Sequence, residues 1–236
     1  MEEHSHTPAD IKARLTGTSR FFYLRDLVYG GIDGAITTFA IVAGVQGAGL
    51  ATSVILILGA ANIVADGFSM AAGNYSATKA DLDDRKRIIE VEKRHIRDHR
   101  SGELEELRQI LEMRGLSGQT LVDATDLIAK DTEKWIGFML TDEYGLSSEE
   151  PRPFRAALAT FFAFLLAGSV PLLPFVFALD TAFNVSIIAT ALTFFFIGTA
   201  KSRWSSAKWW YSGLETLFIG STAASVAYLI GTLFHP

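Results

Sequence analysis

Apolar residues in this chain gather into five long blocks, at 27–46, 53–72, 156–179, 182–199 and 212–234, and each block holds almost no charge. Each is close to the ~20 residues an α-helix needs to cross roughly 30 Å of hydrocarbon. Lipid offers no partner for a free backbone N–H or C=O, so blocks of this length are predicted to be helices, with Pro171 and Pro174 kinking one of them. The rhythm changes between the second and third blocks. There Ile88, Ile89, Val91 and Ile96, then Leu104, Leu107, Ile110 and Leu111, recur at near-helical intervals among many charges, which predicts amphipathic helices.

Breaks in that stretch are expected at Ser101-Gly102 and between Gly115 and Gly118. Ser101 is the expected N-cap, with Glu103 and Glu105 in the first turn, and Ser117 or Thr120 starts the next helix. The segment closes over 132–146, where Gly145 suits a C-terminal cap. Three amphipathic helices result, the first continuous with span two because nothing between Gly73 and Arg87 stops it. The fold class predicted is an all-α integral membrane protein: a tail at 1–24, two transmembrane helices within 25–75, a cytosolic helical insert at 76–153, and three more transmembrane helices within 154–236.

Composition agrees, with 49% hydrophobic residues, 20 Gly and 17 Phe. Charge placement adds an orientation. The 21 basic residues fall in the starting tail (Lys12, Arg14, Arg20, Arg25), in the long stretch between spans two and three, and between spans four and five (Lys201, Arg203, Lys208). Basic residues collect in cytosolic loops, so the N-terminus and the insert are predicted to be cytosolic and the C-terminus to lie outside. No cleavable leader is expected, and the first span stays. The chain has no Cys, which removes thiolate ligands and leaves oxygen, imidazole and thioether for any metal. Basic residues are interleaved with acids, so no nucleic-acid footprint is present. His4 and His6 are read as part of a disordered tail rather than as ligands.

One acid, Glu215, lies near the cytosolic edge of the last span, where an interfacial position explains it as well as function does. Two others lie deep inside the spans. An ionisable group there costs at least roughly 2.5 to 3.5 kcal/mol on insertion scales, so each is a functional candidate. Asp33 lies in the first span, within Gly30-Gly31-Ile32-Asp33-Gly34, and Asp66 in the second. At 1.5 Å per residue both sit roughly 10 to 14 Å below the cytosolic surface and can share one site. Asn62, Asp66 and Met70 recur every four residues and so line one face of span two. In the insert, Glu92, His95 and His99 share a helix face, Glu103 and Glu106 another, and Met139 and Glu143 a third. Carboxylates, imidazoles and a thioether brought together would hold a borderline cation such as Fe2+, Mn2+, Co2+ or Zn2+. For any one of these acids alone, a solvated, ion-paired helix face is the simpler reading.

With these residues in view, the chain resembles the vacuolar iron transporter family, which includes yeast and plant iron and manganese carriers and many bacterial members. The resemblance runs over 21–233 and rests on Gly31-Ile32-Asp33-Gly34, on Gly67-Phe68-Ser69-Met70-Ala71-Ala72-Gly73, and on the stretches 135–146 and 220–231. It implies a homodimer with a pathway between subunits lined by the first two spans, metal contacts from Asp33 and Met70, and exchange of metal for protons. It also implies a cytosolic metal-collecting group at Glu92, Glu103, Glu106, Met139 and Glu143. Two positions depart from the pattern. Asn62 stands where plant members have a membrane Glu, with Asp66 one turn later, and His95 stands at a family Glu, which shifts the ligand set towards imidazole.

The function expected is therefore a secondary transporter, not an enzyme: a proton-coupled antiporter exporting Fe2+, with Mn2+, Zn2+ or Co2+ as further cargo. It needs no permanent cofactor, and its partners are the metal, protons, the bilayer and a second copy of itself. The short chain without targeting extensions suggests a bacterial plasma membrane, and a eukaryotic vacuole would give the same topology. The alternatives are a passive metal channel and a membrane-anchored metal sensor or storage adaptor. The motif of a zinc protease is absent from the sequence.

Overall fold

A computed structural model describes residues 7–16, 23–147, 149–203 and 205–234; His4 and His6 lie outside them. Among the described residues five helices are long and apolar enough to cross a membrane. In chain order the helices are α1 (Pro8–Thr16), α2 (Leu24–Gly47), α3 (Thr52–Asp98), α4 (Arg100–Met113), α5 (Gly118–Ala129), α6 (Thr132–Asp142), α7 (Pro153–Ser169), α8 (Leu173–Val176), α9 (Ala182–Ser202) and α10 (Trp209–Leu233). The chain divides into two compact units: one of 1–76 with 153–236, and one of 77–152. α3 contributes to both, since it runs unbroken from Thr52 to Asp98, as the lack of a stop signal after Gly73 predicts.

In the first unit α2 is the central helix. Half of its apolar window is buried, against at most a third in the other spans. It packs on α7, α9 and α10. Small residues make this possible, because a Cβ on Gly30 would strike the Thr160 carbonyl and one on Gly34 the Phe164 carbonyl. α2 and α7 are thus in backbone-to-backbone contact, the mode by which helices associate where lipid supplies no hydrophobic drive. The prolines act as expected: α7 stops at Ser169, residues Val170–Leu172 tighten to a 3-10 turn, and α8 completes the span to Val176.

The second unit closes over a core of Ile88, Ile96, Leu107, Ile110, Leu111, Leu121, Trp135, Ile136, Met139 and Leu140. Two expectations are corrected here. The first break falls at His99, and Ser101 lies inside α4 rather than capping it. The stretch after Gly118 is also two helices, because the Asp131 carboxylate accepts from the Lys134 N–H at 3.2 Å and starts α6 afresh. Three helices therefore follow the α3 extension, not two. Gly115 (φ +93°) and Gly118 (φ +59°) occupy the left-handed region that separates α4 from α5, where a side chain would be strained. Gly145 (φ +64°) ends α6, with the Leu146 N–H returning to the Leu140 carbonyl at 2.8 Å.

Candidate metal pathway and carboxylate cluster

Within the membrane-spanning unit, α3 carries three neighbouring stripes of four-residue period. Gly59, Ile63 and Gly67 are buried, Asn62, Asp66, Met70 and Asn74 are half-buried, and Ala61, Ala65, Ser69 and Gly73 are exposed. The half-buried stripe meets the polar face of α2. Asn62 Nδ2 donates to Thr37 Oγ1 at 3.2 Å, and that hydroxyl donates to the Asp33 carbonyl at 2.9 Å. Asp33 and Asp66 lie close enough for their charges to act on one another. Asn74 Nδ2 donates to Asp26 Oδ1 at 2.8 Å and to Thr160 Oγ1 of α7 at 2.7 Å. The four residues singled out from sequence, Asp33, Asn62, Asp66 and Met70, thus lie along one polar seam of two antiparallel helices. Sequence reasoning missed Asp26, Thr37 and Asn74. Asn74 only extends the period of the α3 stripe by one turn, and Asp26 precedes Asp33 by two turns, so both were within reach of that pattern. Thr160, 86 residues along the chain from Asn74, was not.

Glu215, the acid of the last span, is taken up at the membrane edge by Lys201 Nζ at 3.2 Å. Both ends of that pair are substantially exposed, so it ties α9 to α10 weakly and leaves the acid outside the seam.

The second unit gathers its carboxylates on the inner face of α3, α4 and the end of α6. Glu92 is 1% exposed and Glu103 7%, unusual burial for acids. Tyr144 Oη donates to Glu92 Oε1 at 2.9 Å, and His95 Nδ1 stands 3.4 Å from Glu103 Oε1. The other oxygen of each acid, Oε2 of Glu92 and Oε2 of Glu103, has no hydrogen-bond partner. A buried carboxylate oxygen left bare is costly, and two together mark a place where a cation would be welcome. Met139 is fully buried in the adjoining core.

Electrostatics bind the group together. Burial, then the charges of Glu92 and Glu106, raises Glu103 above the ordinary carboxylate range, with His95 opposing. Partial burial raises Glu143 to about 6; the charges of Glu106, Glu92 and Glu103 add to that, and a hydrogen bond from Tyr144 works against it. Burial and the same two acids, Glu92 and Glu143, hold the Tyr144 proton in place. Glu92, Glu103, Glu106 and Glu143 therefore share one field. His99 is exposed and joins only through its ring, edge-on to His95 with centroids 6.4 Å apart. Among the described residues no three acids or imidazoles stand close enough to enclose an ion as they are. Tyr144 was missed in the sequence because its importance lies in reaching Glu92, 52 residues away.

A profile of the VIT family matches residues 24–232, nearly the whole described chain. The chain belongs to the VIT family. Among its relatives, vacuolar iron transporter 1 of Arabidopsis thaliana is 31% identical over 211 residues, covering 88% of this chain and 84% of its own. Vacuolar iron transporter 2 of Oryza sativa subsp. japonica is 31% identical over 208 residues, 87% of this chain and 85% of its own. The vacuolar iron transporter of Toxoplasma gondii is 31% identical over 251 residues, covering all of this chain and 82% of its own. The family match spans all five apolar helices and the helical unit between them, so this is an integral membrane transporter and not an enzyme.

Proposed function

We infer that the chain exports divalent transition metal ions, Fe2+ foremost and Mn2+, Zn2+ or Co2+ by the same chemistry, in exchange for protons. The observation that carries this reading is the polar seam: two half-buried carboxylates, Asp33 and Asp66, within range of one another's charge inside apolar spans, with the Met70 thioether one turn from Asp66. Two acids near one another in low dielectric repel when both are ionised, and either a proton or a divalent cation relieves that repulsion, so one can exchange for the other. A thioether offers little to Mg2+ or Ca2+ and more to a borderline metal. The names of the relatives agree with iron as cargo.

The remaining parts fit this role. The carboxylates Glu92, Glu103, Glu106 and Glu143, with His95, His99 and Met139 beside them, collect metal from the cytosol, the side that the basic residues of 77–152 assign to this unit. The exposed stripe Ala61, Ala65, Ser69 and Gly73 is the small-residue face by which spans approach one another, and a second copy of the chain seated there forms a homodimer and brings its own seam alongside. With the N-terminus in the cytosol, export leads to the far side of a plasma or vacuolar membrane.

The test is metal uptake into proteoliposomes with an internal pH reporter, comparing the intact chain with Asp33→Asn and Asp66→Asn under Fe2+, Mn2+ and Zn2+. Metal movement with opposing proton movement, lost in both variants while the protein stays folded, is the expected result. Metal movement without protons makes the protein a channel. No movement from folded protein, with metal still bound by the 77–152 unit, makes it a sensor or storage adaptor.

A further inference from the structure

Resting on the pathway reading above, the geometry also distinguishes residues that hold metal from residues that aim them. The buried face of α3 combines Gly59 and Gly67, which bring its backbone close to Leu172 and to the side chains of Leu165 and Phe164, with Ile55 and Ile63, which pack into the apolar core. Apolar packing buries this face, while directional hydrogen bonds fix its rotation more sharply. The stripe that must face Asp33 lies only one residue, about 100° of helical rotation, from the exposed Ala61, Ala65, Ser69 stripe. Polar contacts can fix the angle within what that packing allows.

Two amides do so, at both ends of the stripe. Asn62 is bonded to Thr37 of α2, and Asn74, twelve residues and about 18 Å further along, is bonded to Asp26 of α2 and Thr160 of α7 at once. α2 and α7 are themselves locked by backbone contact at Gly30 and Gly34, so they serve as a fixed frame. We propose that Asn62 and Asn74 are positioning residues that pin the rotation of α3 against the α2–α7 pair, so that Asp66 and Met70 between them face Asp33. On this view Asn62 acts through α2, its Nδ2 donating to Thr37 Oγ1, rather than as a ligand.

The test is Mn2+ uptake into proteoliposomes as a function of concentration, with the amount of folded protein measured in parallel. Partners that orient metal ligands typically matter by about 10- to 100-fold in affinity. Asn62→Ala and Asn74→Ala are expected to raise the half-saturating concentration about tenfold while the maximal rate per folded protein stays within about threefold. Thr37→Val is expected to match Asn62→Ala, and the two together to be no worse than either, the signature of one shared contact. The exchange Asp26→Asn with Asn74→Asp reverses donor and acceptor across the same gap and is expected to recover most of the affinity. A purely structural role would lower folded protein without moving half-saturation, and that result overturns the proposal. So does a neutral Thr37→Val beside a damaging Asn62→Ala, which would make Asn62 a ligand. Uptake that Asp33→Asn abolishes but Asn62 and Asn74 variants leave untouched removes this inference alone; no uptake by the intact chain removes the transport reading and this inference with it.

Discussion

Lowering the pH from 7 to 5 should release metal from the carboxylate cluster of 77–152, by an amount the structure sets. Glu143 has its pKa raised from 4.5 to about 6 by partial burial and by Glu106, Glu92 and Glu103. Metal binds the ionised form, so protonation divides the apparent affinity by one plus the ratio of protonated to ionised carboxylate. For a group near 6 that factor is about 1.1 at pH 7 and about 11 at pH 5, a loss of roughly tenfold. An ordinary carboxylate at 4.5 would lose only about 1.3-fold over the same range. Glu103, also raised, steepens the fall. The sign for stability is the reverse: a raised acid makes the folded, metal-free unit bind its proton more tightly than the unfolded chain does. Without metal the unit is therefore more stable below pH ~4.5 and loses that advantage as pH rises to ~6. The assay is the electron spin resonance of free Mn2+ titrated into the full chain carrying Asp33→Asn and Asp66→Asn, which silences the membrane seam. Glu143→Gln should flatten the profile. Equal affinity within twofold at pH 5 and pH 7 would refute the argument, since it would mean that the four acids do not share a field around the ion.

Two further outcomes follow from packing and capping. Gly34→Ala places a methyl group against the Phe164 carbonyl, so α2 and α7 must part. Overpacking of this kind costs roughly 1–3 kcal/mol and should appear as a lower melting temperature in detergent, with Gly102→Ala in α4, where a Cβ meets nothing within 4 Å, as the neutral control. Asp131→Ala removes the side-chain acceptor for the Lys134 N–H at the start of α6. It should cost about 1 kcal/mol and show as faster amide exchange in the first turn of α6, whereas Ser101→Ala, within α4, should change little.

By itself the sequence determined the five spans, because hydrocarbon forces any apolar run of that length to satisfy its own backbone, and no distant residue can alter that. It also determined the Asn62, Asp66, Met70 stripe and the continuity of α3 across the membrane edge, since helical period and the absence of a breaker are local properties. Helical spacing also marked the carboxylates of the insert, and resemblance added the family. Local signals misplaced the cap at Ser101 and passed over Asp131, because Ser and Asp both cap helices and which one is used depends on how the flanking helices pack. Only the tertiary structure decided what each polar group is spent on. Asn74 reaching Thr160, Tyr144 reaching Glu92, and the bare Oε2 atoms of Glu92 and Glu103 are consequences of contacts between segments far apart in the chain. A hydrogen bond at that separation depends on the packing of whole helices, in which the glycines of α2 set how close α7 can come, and no periodicity along a single helix encodes it.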